Sequence, residues 1–170
     1  MSEEIIKIAN CSGYYGDKLS AAKEMVDGGP IDVLTGDYLA ELTMTILYNQ
    51  KIKRGEDHGY VGTFLKQFKD VAKSTQEKNI KIVSNAGGLN PKAMALEVEK
   101  IIDELNLKLK VAYIEGDDLI PEFQKLSEAG EKFKNLDNEI NLSDYPKKPI
   151  TANAYFCLLY TSPSPRDTAI

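Results

Sequence analysis

The sequence predicts an α/β protein built on a three-layer parallel sheet of about five strands. Short apolar runs rich in β-branched residues alternate along the chain with longer stretches of helical spacing. Each apolar run also leads into glycine, asparagine, serine or aspartate, which is typical of the turn between a strand and a helix. A segment of an α/β barrel is the alternative, because it follows the same alternation.

The first half of the chain contains three predicted strands and three predicted helices. Gly28-Gly29-Pro30 ends the first helix, and Gly55 separates the other two. In chain order the elements are a strand over 5–9, a helix over 19–26, a strand over 31–35, helices over 38–54 and 60–78, and a strand over 80–84.

The second half continues the same alternation. Asn90 is placed to cap a helix that has Pro91 as its first residue. That helix is expected to end near residue 106, followed by a strand over 109–114, a helix over 121–133, a polar loop over 135–149 and a strand over 150–156.

Composition excludes several classes of protein. The 170 residues include 21 Lys and Arg against 26 Asp and Glu, a net charge of −5 that argues against nucleic-acid binding. No apolar run is long enough to span a membrane, and the first four residues lack the pattern of a signal peptide. Two cysteines do not make a disulfide framework. We therefore expect a cytoplasmic protein with a small-molecule substrate, without nucleic-acid or membrane partners.

The end of the chain differs in character from the rest. Residues 157–167 match the translation of a sequencing-library adaptor, so we interpret 157–170 as a non-native, artefactual tail. A natural disordered tail is the alternative, because Ser-Pro-Ser-Pro is typical of one. On the first interpretation, residues 1–156 are the N-terminal part of a longer α/β domain.

Polar side chains collect where the predicted strands end. The carboxyl ends of parallel strands lie along one edge of a sheet, and ligands bind there. We therefore expect one pocket to receive Ser12, Asp17, Asp37, Glu41, Asn85, Asn90, Asp117 and Asp118.

Paired carboxylates are the strongest candidates for chemistry. Asp37 and Glu41 are four residues apart, so both could lie on one helical face as an acid–base pair or as metal ligands. The structural alternative is helix capping by Asp37 and a dipole contact by Glu41. Asp117 and Asp118 could bind a cation or cap the next helix. No metal and no cofactor is identified by these patterns.

The remaining motifs are less specific. Gly13 with Gly16, and Gly87 with Gly88, could bring backbone close to a ligand, or could form plain turns. Neither the dinucleotide fingerprint nor a Walker motif is present. Cys11 lies near a predicted helix start, which would lower its pKa, but the single histidine, His58, falls in a charged loop and is expected at the surface.

Four ordered blocks resemble the acyclic terpene utilisation family of AtuA type. They begin at Cys11, Asp37, Ser84 and Gly116, and the resemblance covers roughly residues 5–156. It implies a bacterial protein of terpenoid catabolism, with a lyase-type step on a branched acyl-CoA as the proposed chemistry. The blocks also point to Tyr38 and Asn153 as site residues.

Two functional hypotheses follow. In the first, an enzyme acts on a small organic acid or an acyl-CoA, with Asp37, Glu41 or Asp117 as acid, base or cation ligand. The groups that would bind its substrate are Ser12, Gly13, Gly16, Asp17, Tyr38, Asn85, Gly87, Gly88, Asn90, Asp118 and Asn153. In the second, the chain is a non-catalytic binding or assembly module, or an inactive fragment, completed by a second copy or a partner subunit.

Overall fold

The fold is taken from a computed structural model that describes residues 5–154. The chain divides into two compact units between Ile114 and Glu115. Within residues 5–154, no helix is both long enough and apolar enough to cross a membrane. Residues 155–156 of the predicted fifth strand, and the adaptor-like segment 157–167, lie outside the described residues.

The first unit alternates strands and helices as the sequence predicts. Its elements are β1 (Ile8–Asn10), α1 (Ala21–Gly28), β2 (Val33–Gly36), α2 (Glu41–Arg54), α3 (Gly62–Glu77), β3 (Lys81–Ser84) and α4 (Pro91–Glu104). Asn90 caps α4, because its side-chain oxygen accepts a hydrogen bond from Ala93 N at 3.1 Å. Most boundaries lie within two or three residues of the prediction, and β1 begins three residues later than expected.

The three strands form one parallel sheet in the order β1-β2-β3. Ala9 is opposite Leu34, and Leu34 is opposite Ile82, so these side chains lie on the same face. A sequential order with right-handed crossovers brings successive helices to one face of a sheet. Accordingly, α1 packs on β1 and β2 and also on α3. The predicted α/β class and parallel sheet are confirmed.

Two apolar clusters meet at α3. One joins Leu34 and Ile80 to Val26 of α1 and Val71 of α3. The other joins α2, α3 and α4 through Leu47, Phe64, Phe68, Val98 and Ile102. Helix α3 therefore joins the two clusters, with Val71 in the first and Phe64 and Phe68 in the second.

The opposite face of the sheet is exposed. Ile8 is 65% exposed and Val83 is 61% exposed. Purely parallel sheets are almost always covered on both faces. A three-stranded sheet with one apolar face open is what an incomplete α/β domain would show.

The predicted fourth strand is wrong. Residues 109–114 are not part of the sheet, although Leu109 and Val111 are partly buried against the α2–α4 cluster. The apolar run over 109–114 favours a strand in the sequence, but residues 112–114 are all exposed in the structure. A strand also requires a ladder of backbone hydrogen bonds, and among residues 5–154 this segment makes none with β3.

The second unit is mostly irregular. It contains α5 (Phe123–Glu128) preceded by a 3₁₀ turn over Ile120–Glu122, and a second turn over Leu142–Asp144. The predicted helix over 121–133 therefore ends early, and Gly130 adopts a φ of 100°, which turns the chain. The part of the predicted fifth strand that the structure describes shows one antiparallel bridge, between Asn153 and Asp118, and no parallel strand.

Candidate functional site

The candidate site is the edge of the sheet where β2 and β3 end. Asn85 follows β3 directly, and Asp37 follows β2. Asn85 Nδ2 donates to Asp37 Oδ1 at 2.6 Å, and Asn85 Oδ1 accepts from the backbone N–H of Tyr38 at 2.8 Å. One amide thus joins two loops that are far apart in sequence, as the parallel topology predicts.

The Asp37 carboxylate is held and yet accessible. Its Oδ1 also accepts a long hydrogen bond from Leu39 N at 3.4 Å, and the residue is exposed. Among residues 5–154, Oδ2 has no hydrogen-bond partner. A fixed carboxylate with one oxygen open to solvent has the arrangement that a general base requires.

Glu41 does not form the predicted pair with Asp37. Helix α2 begins at Glu41, and Ala40 before it is extended, with φ −153° and ψ 172°. Asp37 therefore lies outside the helix, and the two carboxylates do not share a helical face. Capping by Asp37 is also wrong, because the N-cap position is Ala40 and no side chain caps α2, whereas Glu41 lies in the first turn of α2, where a contact with the helix dipole was expected.

The loop after β1 is closed by its own hydrogen bonds. Buried Ser12 donates from Oγ to Tyr14 O at 3.0 Å, and its carbonyl accepts from Asp37 N at 2.9 Å. Gly13 N donates to Asp17 Oδ2 at 3.0 Å. The N–H groups of Gly13 and Lys18 hold the pKa of Asp17 below its ordinary range. Gly16, at φ 111°, turns the chain between them.

The glycines after β3 are required by packing. A Cβ on Gly87 would lie 2.7 Å from the Pro91 Cβ, and a Cβ on Gly88 would collide with Leu47. The side-chain oxygen and nitrogen of Asn90 are both occupied by hydrogen bonds. The oxygen caps α4, and Nδ2 donates to Glu56 O at 2.8 Å and to His58 O at 3.3 Å. These contacts favour the turn interpretation of the Gly-rich loop.

A buried polar cluster lies beneath the edge. The Tyr38 hydroxyl donates to Gln67 Oε1 at 2.5 Å and lies 3.8 Å from Cys11 Sγ. Burial, followed by the neighbouring Cys11 thiol, raises the pKa of Tyr38. Burial also raises the pKa of Cys11, so the predicted lowering is wrong, because α1 begins only at Ala21.

The interior offers no room for a substrate beside this cluster. The cavity lined by Cys11, Tyr38 and Gln67 has a volume of about 10 Å³, enough for a single water molecule. A substrate of this site would therefore bind at the open edge.

Gln67 is not among the site residues that the sequence predicts. It lies on α3 among Phe64, Phe68 and Val71 and is only 3% exposed. A polar residue at a helical position inside an apolar stripe was the signal that could have identified it.

In the second unit, the predicted site residues form hydrogen bonds within that unit. Asn153 Nδ2 donates to Asp117 Oδ2 at 2.9 Å, and Asp118 Oδ1 accepts from Ile120 N at 2.9 Å. Asp118 therefore stabilises the turn that precedes α5, but the capping alternative is wrong, because the N-cap positions of the 3₁₀ turn and of α5 are Leu119 and Glu122 and no side chain caps either. The expected convergence of Asp117 and Asp118 with Asp37 remains a prediction.

His58 and metal binding complete the description of the predicted residues. His58 is partly exposed, bonds Asp57 Oδ1 through Nδ1 at 3.0 Å and stacks on Tyr60. In the described part of the chain, no three His, Cys, Asp or Glu side chains lie close enough together to hold a metal ion.

Comparison with known proteins gives one match. A protein-family model described as acyclic terpene utilisation family protein AtuA matches residues 6–159. The match covers the sheet, its helices and the loops that carry Asp37 and Asn85, and it ends inside the adaptor-like segment. No curated protein and no solved structure matches the chain.

Proposed function

The chain belongs to the acyclic terpene utilisation family, and from this premise we propose that it acts as an enzyme on a small organic acid or a branched acyl-CoA thioester. In this proposal the reaction is a lyase-type step of terpenoid breakdown. One observation carries it: the Asp37 carboxylate is fixed by Asn85 at 2.6 Å at the carboxyl edge of a parallel sheet.

Asp37 is the proposed general base or acid. Bond cleavage next to a thioester or carboxylate needs a proton to be taken up or delivered at a defined position. Asp37 is exposed and oriented, which suits this role, whereas Glu41 makes no hydrogen bond to Asp37 or Asn85 in the described part of the chain. Asp117, held by Asn153, remains a second carboxylate to test.

The backbone N–H groups of the Gly-rich turns are weaker candidates for binding an anion. Gly13 N donates to Asp17, and Gly88 N donates to Asn85 O at 3.2 Å. A substrate carbonyl would have to replace these partners. We therefore assign substrate orientation to the Asp37–Asn85 pair.

The test is turnover of 3-hydroxy-3-methylbutanoyl-CoA and of 3-hydroxy-3-methylbutanoate by wild type and by Asp37→Asn, followed by mass spectrometry. Both compounds carry a β-hydroxyl that a lyase can eliminate as water, with one proton leaving the α-carbon. We expect Asp37→Asn to lower turnover by roughly 10²- to 10⁴-fold, because general acid–base catalysis contributes about that much. Asp32→Asn is the matched control. Asp32 directly precedes β2, at the opposite strand end, and its carboxylate accepts from Lys7 N at 2.7 Å.

Two outcomes count against the proposal. Equal turnover by Asp37→Asn and wild type would remove Asp37 from the chemistry. If the wild-type chain neither turns over nor binds either compound, the enzyme hypothesis is overturned and the hypothesis of an assembly module remains.

A further inference from the structure

Gln67 of α3 links the loops after β1 and β2 through its side chain. Its Oε1 accepts from the Tyr38 hydroxyl at 2.5 Å, and its Nε2 donates to Lys18 O at 3.3 Å. Lys18 lies in the loop after β1, and Tyr38 lies in the loop after β2. Both ends of the buried amide are therefore bonded to loops of the candidate site.

The loop after β3 is joined to the same chain of hydrogen bonds. Tyr38 N donates to Asn85 Oδ1 at 2.8 Å, and Asn85 Nδ2 donates to Asp37 Oδ1 at 2.6 Å. The path from α3 to the carboxylate is thus Gln67, Tyr38, Asn85 and Asp37. Each link is a direct contact within the first unit.

We propose that Gln67 is the positioning residue of the Asp37–Asn85 site. It fixes the Tyr38 side chain, which sets where the Tyr38 backbone N–H meets Asn85, and Asn85 in turn holds Asp37. The role of Asp37 in a reaction rests on the proposed function. The hydrogen-bonded path from Gln67 to Asp37 does not depend on it.

The surroundings of Gln67 distinguish positioning from simple packing. Its neighbours along the buried face of α3 are Phe64, Phe68 and Val71, and an amide among apolar side chains is stable only while both of its ends are hydrogen-bonded, as they are here. Gly36 adds a second constraint, because a Cβ there would lie 2.6 Å from the Tyr38 ring. The ring is therefore held between Gly36 and Gln67.

The test follows the Asn85 side-chain amide by ¹⁵N NMR in the whole chain, together with the Tyr38 backbone N–H. Asn85→Ser assigns the side-chain signals. In Gln67→Leu and in Tyr38→Phe we expect both signals to shift, with the Asn85 NH₂ pair moving toward the position of a free amide. The two variants share only the loss of the Tyr38–Gln67 bond, since Gln67→Leu keeps the Cys11–Tyr38 contact.

Thr75→Val is the matched control. Thr75 is another buried polar residue of α3, and its hydroxyl bonds Ala72 O within the helix at 2.9 Å. We expect this variant to lower stability while leaving the Asn85 and Tyr38 signals in their wild-type positions. A purely structural role of Gln67 would give the same result for Gln67→Leu.

The outcomes separate this inference from the proposed function. An unchanged Asn85 NH₂ pair in folded Tyr38→Phe would overturn the positioning role. Because Tyr38→Phe keeps the aromatic ring, this variant tests the role even if Gln67→Leu fails to fold. Shifted signals together with an absence of turnover in wild type would retain the positioning role and overturn the enzyme hypothesis.

Discussion

At the residue scale, Gly36 and Tyr38 fit tightly against each other. A Cβ on Gly36 would lie 2.6 Å from Tyr38 Cε2 and 3.0 Å from its hydroxyl. The ring has little freedom to move aside, because it is 2% exposed and its hydroxyl is bonded to Gln67. The absence of a side chain at the end of β2 is therefore a packing requirement.

Gly36→Ala is expected to destabilise the protein by about 1–3 kcal/mol, the usual cost of overpacking a core. Urea unfolding followed by circular dichroism measures the change. Gly28→Ala is the control, since Gly28 ends α1 and a Cβ there meets no atom within 4 Å. That variant should match wild type or gain up to about 1 kcal/mol. Equal unfolding free energies for the two variants would contradict the packing argument.

At the scale of elements, Asn90 does more than begin α4. Its oxygen caps the helix through Ala93 N, and its Nδ2 bonds the carbonyls of Glu56 and His58 in the loop after α2. The cap was predictable from Asn90-Pro91 alone, because both residues have known preferences at helix starts. The bonds to the earlier loop depend on the fold.

Asn90→Ala should lower the free energy of unfolding by about 1 kcal/mol or more, because one cap and two loop contacts are lost together. Ser20→Ala is the control at another N-cap position. Ser20 makes no side-chain cap bond, and its hydroxyl instead contacts exposed Glu24 at 2.8 Å. A change of about 0.5 kcal/mol or less is expected there. If capping were unimportant, thermal unfolding would show a similar loss of stability in both variants.

Element prediction failed where local pattern and pairing disagreed. Residues 109–114 form an apolar run typical of a strand but lack a ladder partner among residues 5–154. Asp37 and Glu41 have helical spacing, yet Ala40 is extended. In both cases the residue pattern is typical of an element, a strand in the first and a helix in the second, that the backbone does not form at those residues.

At the scale of the whole molecule, the two raised pKa values predict sensitivity to alkali. Burial raises the pKa of Cys11 above its ordinary value of 9.0 and that of Tyr38 above 10.0. Above pH 9 the unfolded chain therefore binds fewer protons than the folded chain, so stability falls as pH rises. Below that pH the contribution is fully present.

Urea unfolding at intervals from pH 7 to pH 11 tests this dependence. The wild-type free energy of unfolding should decline above about pH 9, through the thiol first and the phenol later. Cys11→Ala should reduce the early part of the decline, and Cys11→Ala with Tyr38→Phe should flatten most of it. A double variant with the wild-type slope would show that other groups cause the alkaline loss.

The sequence alone determined the α/β class, the parallel direction of the strands and the placement of Asp37 and Asn85 at one edge. Apolar periodicity and turn residues are local properties, and for β1, β2 and β3 they were enough to indicate the strands and their ends. The family resemblance also came from ordered local blocks, and the match over residues 6–159 confirms it.

Only the tertiary structure decided which of those polar groups bond to one another. It joined Asn85 to Asp37, bonded Gly13 to Asp17, buried Cys11 and placed Gln67 beneath Tyr38. Hydrogen bonds between residues distant in sequence depend on ångström-scale distances that the packing of helices on the sheet sets. Residue type and spacing can place such groups at the same edge, but they do not determine which partner each group has.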